Sequence, residues 1–253
     1  MELNGISAIV TGGASGLGGA TAQAMAAAGA KLTIVDVNRE AAEATARAIG
    51  GIAAVCDVAN AEAAEAAFAA ARAAHGPVRV LVNCAGIGTA GRIVGKEGPL
   101  ALGAYERVIR VNLIGTFNML RLAAAEMSAA EPMADGERGV IINTASVAAY
   151  EGQVGQAAYA SSKAGVVGLT LPAARELSRF GVRVVTIAPG LFMTPMMASL
   201  PAEIQKSLGD SVPYPPRLGQ PEEYAALALH IVANRMLNGE TIRLDGALRM
   251  APR

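Results

Sequence analysis

Short apolar runs of strand length alternate with helical patterns from one end of this 253-residue chain to the other. When a helix separates two strands, it carries the chain back across the sheet, so the strands pair in parallel. The run at 78–82, Val-Arg-Val-Leu-Val, is nearly continuous rather than alternating, as expected for a strand covered on both faces. We therefore predict an α/β fold, a doubly wound parallel sheet with right-handed crossovers and helices on both faces.

The same patterns give the predicted bounds of the elements. Strands are predicted over residues 6–10, 31–35, 52–55, 78–82, 139–143, 182–187 and 241–244. Helices are predicted over residues 16–28, 40–49, 61–74, 104–127, 159–178 and 222–233. The proline-rich stretch 190–220 is expected to be irregular. No long polar linker interrupts the pattern, so residues 1–253 are predicted to form a single domain.

Charge and composition argue against several classes of function. Lys plus Arg and Asp plus Glu each number 21, so no excess charge favours a nucleic acid or an anionic membrane as a partner. The apolar runs fall short of the roughly 18 residues that a spanning helix needs. No basic segment precedes the first apolar run, so we expect no signal peptide and a cytoplasmic location. The two cysteines and two histidines are too scattered to predict a disulfide or a metal site.

A glycine-rich segment follows the first predicted strand and opens the first predicted helix. Residues 11–18 read Thr-Gly-Gly-Ala-Ser-Gly-Leu-Gly. Gly12, Gly16 and Gly18 allow a tight turn and a close approach of the backbone to a pyrophosphate, while the helix N-terminus adds free N–H groups. Because the strand before and the helix after are the context this motif requires, we predict a dinucleotide-binding site here.

An acidic residue at the end of the second predicted strand favours NAD as the cofactor. Asp36 lies 18 residues after Gly18. A carboxylate at this point accepts hydrogen bonds from the ribose hydroxyls of adenosine and repels a 2′-phosphate. NAD is therefore predicted over NADP, although Arg39 is close enough to keep NADP as the alternative.

A tyrosine and a lysine begin a later predicted helix. Tyr159 and Lys163 are four residues apart and share one face of that helix, a pattern that is most often merely solvated. Ser146 directly follows the fifth predicted strand, thirteen residues before Tyr159. Residues at the carboxyl ends of parallel strands line the ligand crevice, so we expect Ser146 and Tyr159 to converge beside the nicotinamide.

Acidity suggests the role of each residue. A free tyrosine has a pKa of about 10, which is too high for a base at neutral pH. The ammonium of Lys163 and the positive nicotinamide ring are expected to lower the pKa of Tyr159. Tyr159 then takes the proton of an alcohol, and Ser146 hydrogen-bonds the substrate oxygen.

These motifs resemble those of the short-chain dehydrogenase/reductase family. The glycine spacing G-x-x-x-G-x-G, the Asn-Cys-Ala-Gly of 83–86 and the Pro-Gly of 189–190 all match. The resemblance implies a Rossmann fold, NAD(H)-dependent interconversion of a secondary alcohol and a ketone, and a homotetramer. It implies cofactor contacts at Gly12, Ser15, Gly16, Leu17, Gly18, Asp36, Asp57, Val58, Asn83, Ala85, Gly86, Tyr159, Lys163, Pro189, Gly190 and Thr194, the last binding the nicotinamide carboxamide. It also implies that Asn112 holds a water near Lys163, although Asn112 has a second interpretation as a helix-packing residue.

Within the family, residues 139–149 and 151–159 look most like the 3-hydroxyacyl-CoA dehydrogenases, which are related to hydroxysteroid dehydrogenases. This suggests oxidation of 3-hydroxyacyl-CoA to 3-ketoacyl-CoA. Gln156 then contacts the substrate, or is an ordinary residue at a helix start, and residues 193–216 form a substrate lid. A hydroxysteroid or broad-specificity alcohol dehydrogenase is the main alternative, and a non-catalytic NAD-binding scaffold is the other.

Overall fold

The chain folds around one seven-stranded parallel sheet in a computed structural model that describes residues 1–252. Arg253 and the side chain of Met196 lie outside the described part of the chain. The strands of this sheet are β1 (Ser7–Thr11), β2 (Lys31–Asp36), β3 (Ile52–Val55), β4 (Val78–Asn83), β7 (Gly139–Thr144), β8 (Val182–Pro189) and β9 (Thr241–Leu244), and a separate hairpin is formed by β5 (Val94–Gly95) and β6 (Gly98–Pro99). The predicted parallel sheet is confirmed, and the hairpin is an addition that the sequence analysis did not predict.

The helices cover both faces of the sheet. They are α1 (Gly16–Ala27), α2 (Arg39–Ala48), α3 (Ala61–His75), α4 (Leu102–Ile109), α5 (Gly115–Ala129), α6 (Ala157–Leu177), α7 (Pro195–Ala198), α8 (Ala202–Asp210) and α9 (Pro221–Ala233). Successive side chains of a strand point to opposite faces. In β1, accordingly, Ala8 and Val10 belong to one buried apolar cluster and Ile9 to another. The doubly wound architecture is therefore confirmed.

The order of the strands locates a crevice. It runs β3-β2-β1-β4-β7-β8-β9, so the direction of winding reverses between β1 and β4. Ligands of open α/β sheets bind outside the carboxyl ends of the strands at such a reversal, because the connections leave in opposite directions there. The glycine-rich segment after β1 and residues 84–86 after β4 border this crevice.

The prediction of one uninterrupted α-helix over 104–127 is wrong in the middle of that stretch. The helical stretch runs from Leu102 to Ala129, but a π-helical segment, Arg110–Ile114, separates α4 from α5. A π segment inserts extra residues without breaking the helix, so the 3.6-residue pattern of the sequence does not reveal it. By length and composition alone, this is the one helical stretch among the described residues that is apolar enough to cross a membrane. Half of its most apolar window is buried inside the protein.

The stretch 190–220, predicted as irregular, contains two helices. Pro195 lies in the first turn of α7 and Pro201 directly precedes α8. Proline is tolerated at these positions because the first N–H groups of a helix have no partner within it. Prolines therefore lie where two helices begin, and the prediction of an irregular stretch is wrong over α7 and α8.

A buried arginine anchors the end of α9 to the sheet. Arg183 of β8 pairs with Glu137 at 2.9 Å and donates to the carbonyl oxygens of Ile231 and Val232 in the last turn of α9, at 2.9 and 3.1 Å. The last carbonyl groups of a helix have no partner within it, so Arg183 satisfies groups that would otherwise be buried and unpaired. This anchoring fixes α9 against the sheet.

Candidate active site

The glycine-rich segment packs so closely that side chains are excluded from it. Gly12 has φ of +60°, and a Cβ there would lie 2.8 Å from the backbone nitrogen of Ala85. Gly16 has φ of +55°, also in the left-handed region that favours glycine. A Cβ on Gly18 would overlap the carbonyl oxygen of Gly12. The backbone thus forms the bare cradle that a pyrophosphate requires.

The N-terminus of α1 is open toward this cradle. Ser15 is the exposed N-cap residue, and within the described residues its side chain makes no capping hydrogen bond. The first turn of α1 carries no acidic residue. The free N–H groups and the positive end of the helix dipole are therefore available to an anion. Leu17 packs partly against the apolar cluster beneath α1.

Asp36 connects the end of β2 to the glycine-rich segment. Its Oδ2 accepts from the backbone N–H of Ala14 at 3.2 Å, and its Oδ1 accepts from that of Asn38 at 3.0 Å. Each carboxylate oxygen has a further lone pair for a ribose hydroxyl. Farther along this edge, Asp57 is exposed and accepts from the N–H of Ala59 at 2.9 Å. Its neighbour Val58 is buried.

Residues 83–86 are held beneath the cradle by Thr11. The Oγ1 of Thr11 accepts from the N–H groups of Cys84 and Ala85, each at 3.1 Å. The buried side chain of Asn83 donates to Oδ1 of Asn143 at 3.0 Å, so it joins β4 to β7. Gly86 lies next to Lys163: a Cβ on Gly86 would lie 3.5 Å from the lysine Nζ.

The structure brings Ser146, Tyr159 and Lys163 together as predicted. Ser146 follows β7, and its Oγ accepts from the N–H of Ala148 at 3.1 Å and is hydrogen-bonded to the side chain of Tyr159. Tyr159 lies in the first turn of α6, and Lys163 one turn later. The Nζ of Lys163 is 5.8 Å from the centroid of the Tyr159 ring. The carboxyl end of β7 and the start of α6 therefore assemble this group.

The expected lowering of the Tyr159 pKa is wrong for the protein chain alone. Burial raises the pKa of Tyr159, and the hydrogen bond from Ser146 offsets this only in part. Burial also lowers the pKa of Lys163 to about 8. Removal of water disfavours the charged form of each group. The geometry is in place, but in the protein chain alone burial is the dominant influence on the pKa of Tyr159.

Asn112 lies in the π segment and is completely buried. Its Oδ1 accepts from the N–H of Ile87 at 2.8 Å, while its Nδ2 donates to the carbonyl oxygen of Ile87 at 2.9 Å and to Oγ of Ser162 at 3.0 Å. These bonds use both N–H groups of the side-chain amide and one lone pair of its oxygen, which favours the packing interpretation of that side chain. Its role with a water beside Lys163 stays a prediction.

The remaining predicted residues lie at the rim. The Oε1 of Gln156 accepts from the N–H of Gln153 at 3.0 Å, as a residue at a helix start would do. Pro189 ends β8, and the N–H of Gly190 donates to the carbonyl of Leu244 at 2.9 Å. Thr194 caps α7, and its Cβ lies 3.9 Å from the position of a Cβ on Gly16. The beginning of the predicted lid therefore reaches the cradle.

One group of residues at the site was not identified from the sequence. The sequence patterns assign no polar role to the side chains of Cys84, Thr144 and Tyr224. The structure places their three polar side-chain atoms in mutual contact behind Lys163. The sequence could have indicated Thr144, because it lies two residues before Ser146. No sequence pattern links Tyr224 of α9 to the site. Both cysteines are free thiols, and no cluster of metal-ligand side chains occurs in the described part of the chain.

The chain is similar over nearly its whole length to proteins of known family. The short chain dehydrogenase family matches residues 7–205. The chain belongs to this family. Human 3-hydroxyacyl-CoA dehydrogenase type-2 is 51% identical over 99% of this chain and 98% of its own length. An ipsdienol dehydrogenase from Ips pini is 35% identical over 95% of this chain and 96% of its own length.

Solved structures agree with this assignment. The crystal structure of 3-hydroxyacyl-CoA dehydrogenase type-2 from Mycobacterium avium superposes with a TM-score of 0.95 and 45% identity, covering 98% of both chains. This short-chain dehydrogenase is therefore an oxidoreductase, and membership of the family implies a nicotinamide cofactor. The bare glycine cradle and the open N-terminus of α1 fit such a dinucleotide.

Proposed function

We propose that this short-chain dehydrogenase uses NAD to interconvert a secondary alcohol and a ketone, with 3-hydroxyacyl-CoA thioesters as its substrates. The convergence of Ser146, Tyr159 and Lys163 at the carboxyl end of β7 carries the proposal. The substrate class rests on the 51% identity to human 3-hydroxyacyl-CoA dehydrogenase type-2. A location in the cytoplasm and a single domain over residues 1–253 belong to the same proposal.

The residues of this chain position the alcohol and move its proton. When bound, the nicotinamide supplies the acceptor for the hydride that leaves the carbinol carbon. The hydroxyl of Tyr159 exchanges a proton with the substrate oxygen, as base in oxidation and as acid in reduction. Ser146, already hydrogen-bonded to Tyr159, holds the same oxygen. Lys163 contributes the positive charge that favours the phenolate over the phenol.

The cradle and Asp36 support NAD as the cofactor. Gly12, Gly16 and Gly18 would hold the pyrophosphate against the N-terminus of α1. Asp36 would bind the adenosine ribose, with Asp57 and Val58 at the adenine. Thr194 and Lys163 would contact the nicotinamide end.

Asp36→Asn should change the choice between the two dinucleotides. Loss of the negative charge weakens the hydrogen bonds to the ribose by about 1 kcal/mol, or roughly fivefold in NADH affinity, and removes the repulsion of a 2′-phosphate. NADPH should therefore bind more tightly to the variant than to the unaltered protein. Titrating the protein with NADH and with NADPH, and following the fluorescence of each cofactor, gives the two dissociation constants. Glu40→Gln removes an exposed charge nearby and is the control; equal weakening of both cofactors by Asp36→Asn would contradict the role of Asp36.

A homotetramer with a small-molecule substrate completes the proposal. Ile114 and Phe117 are each 49% exposed, at the end of the π segment and the start of α5. Leu102, at the start of the same helical stretch, is 70% exposed. Ile114 and Phe117 are three residues apart and so neighbours on the helix surface, and exposed apolar neighbours of this size are typical of protein–protein interfaces. These side chains support contact between copies of the chain.

A second candidate function is the oxidation of a secondary alcohol that carries no CoA. A relative that is 35% identical to this chain is named ipsdienol dehydrogenase, after an alcohol and not after a CoA thioester, which supports this candidate. The chemistry at Tyr159 is the same in both candidates, and only the pocket beyond the reacting carbon differs.

Turnover by the purified protein separates these candidates. NADH formation should be measured with NAD and, in parallel, 3-hydroxybutyryl-CoA, a 17β-hydroxysteroid and a simple secondary alcohol. We expect the thioester to have the highest kcat/KM. Oxidation of the steroid or simple alcohol without the thioester would contradict the substrate class and retain the mechanism. Binding of NADH with no turnover on any alcohol would instead support a non-catalytic scaffold.

A further inference from the structure

Three polar side chains from distant parts of the chain meet behind Lys163. Cys84 follows β4, Thr144 ends β7 and Tyr224 lies in α9, where it is completely buried. The Oγ1 of Thr144 is 2.7 Å from the hydroxyl of Tyr224 and 3.6 Å from the Sγ of Cys84. The Sγ of Cys84 is 3.7 Å from the same tyrosine hydroxyl. The contacts form a closed triangle.

Each group in this triangle has one proton to donate, so the three protons match the three contacts. Thr144 donates to Cys84, Cys84 donates to Tyr224, and Tyr224 donates back to Thr144. Burial raises the pKa of Cys84 and that of Tyr224, so both keep their protons at neutral pH. We call Cys84, Thr144 and Tyr224 the hydroxyl–thiol ring.

The ring is joined to the active site through the backbone of Thr144. The Nζ of Lys163, only 4% exposed, donates to the carbonyl oxygen of Thr144 at 2.8 Å. Cys84 also lies beneath the cofactor cradle, since its Cβ is 3.2 Å from the position of a Cβ on Gly18. The ring therefore includes Thr144, whose carbonyl holds the ammonium of Lys163, and it lies against the segment that would hold the cofactor.

We propose that Tyr224 is a positioning residue that acts through the hydroxyl–thiol ring: it fixes the carbonyl of Thr144, and so places the ammonium of Lys163 beside Tyr159. This rests on the proposed roles of Tyr159 and Lys163. A buried ammonium moves wherever its acceptor moves, because an unpaired charge in the interior is costly. Loss of the ring leaves Lys163 less favourably placed to stabilise the phenolate.

The test follows Tyr159 directly and needs no substrate. The chain contains five tyrosines and no tryptophan, so the ultraviolet absorbance of tyrosinate is free of tryptophan. The absorbance of the NAD complex is followed as the pH is raised, and the curve of the Tyr159→Phe variant is subtracted. The difference curve gives the pH at which half of Tyr159 is ionised (its midpoint). Lys163 is the charged group next to the Tyr159 ring, and Cys84 and Tyr224 are the titratable groups of the hydroxyl–thiol ring. The titration of Tyr224 lies above the useful range, because burial raises its pKa well above the ordinary value.

Tyr224→Phe keeps the buried ring and removes only the hydroxyl. We expect the midpoint of Tyr159 to rise by about half to one pH unit, and turnover below the midpoint to fall roughly three- to tenfold. Cys84→Ala should have the same effect, and Cys84→Ser, which restores a donor and acceptor, should keep the original midpoint. Because all act through one ring, Tyr224→Phe combined with Cys84→Ala should show little additional shift.

Thr170→Val is the matched control. It removes a buried hydroxyl bonded to Thr186 at 2.6 Å, two turns beyond Lys163 in α6, and should leave the midpoint unchanged. A midpoint unmoved by Tyr224→Phe, or moved equally by Thr170→Val, would overturn the positioning role. If the unaltered protein shows no tyrosine that titrates below the others, the assignment of Tyr159 as base fails and this proposal fails with it. Absence of thioester turnover alone would affect only the proposed substrate.

Discussion

Replacing Tyr159 with phenylalanine is expected to reduce turnover by about 10²- to 10⁴-fold, the range contributed by general acid–base catalysis. The substitution keeps the aromatic ring in place and removes the one hydroxyl that is hydrogen-bonded to Ser146. No other described group has both this contact and a position one turn before Lys163. The proton of the alcohol then has no acceptor, while the cofactor cradle after β1 is untouched.

The measurement compares kcat and NADH affinity in the same preparation. We expect kcat to fall and the dissociation constant of NADH to stay near that of the unaltered protein. Tyr150→Phe is the control, because Tyr150 is 48% exposed and its ring lies 5.3 Å from the guanidinium of Arg243. Substantial turnover by Tyr159→Phe would mean that another group serves as the base.

Gly18→Ala is expected to weaken the binding of NADH by roughly 10- to 100-fold. The added Cβ would overlap the carbonyl oxygen of Gly12 and would lie 3.2 Å from the Cβ of Cys84. The closest neighbour is backbone of the cradle itself, and the Cβ of Cys84 cannot rotate out of the way, so the loop has to shift. Forcing a methyl group into such a site costs about 1–3 kcal/mol, which sets the expected loss.

Gly19→Ala is the matched control for this substitution. The two glycines are adjacent in α1, but a Cβ on Gly19 would meet its nearest neighbour at 3.6 Å, an ordinary contact. Alanine is more favourable than glycine inside a helix by about 0.8–1 kcal/mol. We therefore expect Gly19→Ala to bind NADH normally and to unfold at a slightly higher temperature. Equal weakening of NADH binding by both variants would contradict the cradle geometry.

Three variants report on three separate functions of the site. Gly18→Ala reports on the cradle, Tyr159→Phe on proton transfer, and Tyr224→Phe on the position of Lys163. Each predicts a change in a different quantity: NADH affinity, kcat, and the titration midpoint of Tyr159. A general loss of structure would move all three together and would lower the free energy of unfolding.

The sequence by itself determined the parallel sheet and the residues at its carboxyl edge. Both rest on local patterns: strand-length apolar runs separated by helical periodicity, glycines between β1 and α1, and a tyrosine and a lysine one helical turn apart. Such patterns involve neighbours in the chain, so they can be interpreted without knowing the fold. The convergence of Ser146 with Tyr159 followed because parallel strands end at the same edge.

Tertiary structure alone decided the π segment around Asn112, the pKa of Tyr159 and the hydroxyl–thiol ring. The π segment is bonded through Asn112 to Ile87, 25 residues away, and the ring joins Cys84 to Tyr224 across 140 residues. The direction of the Tyr159 pKa shift depends on burial, which the whole fold creates. Contacts between distant segments and the exclusion of water leave no local periodicity in the sequence, and this is why only the folded chain reveals them.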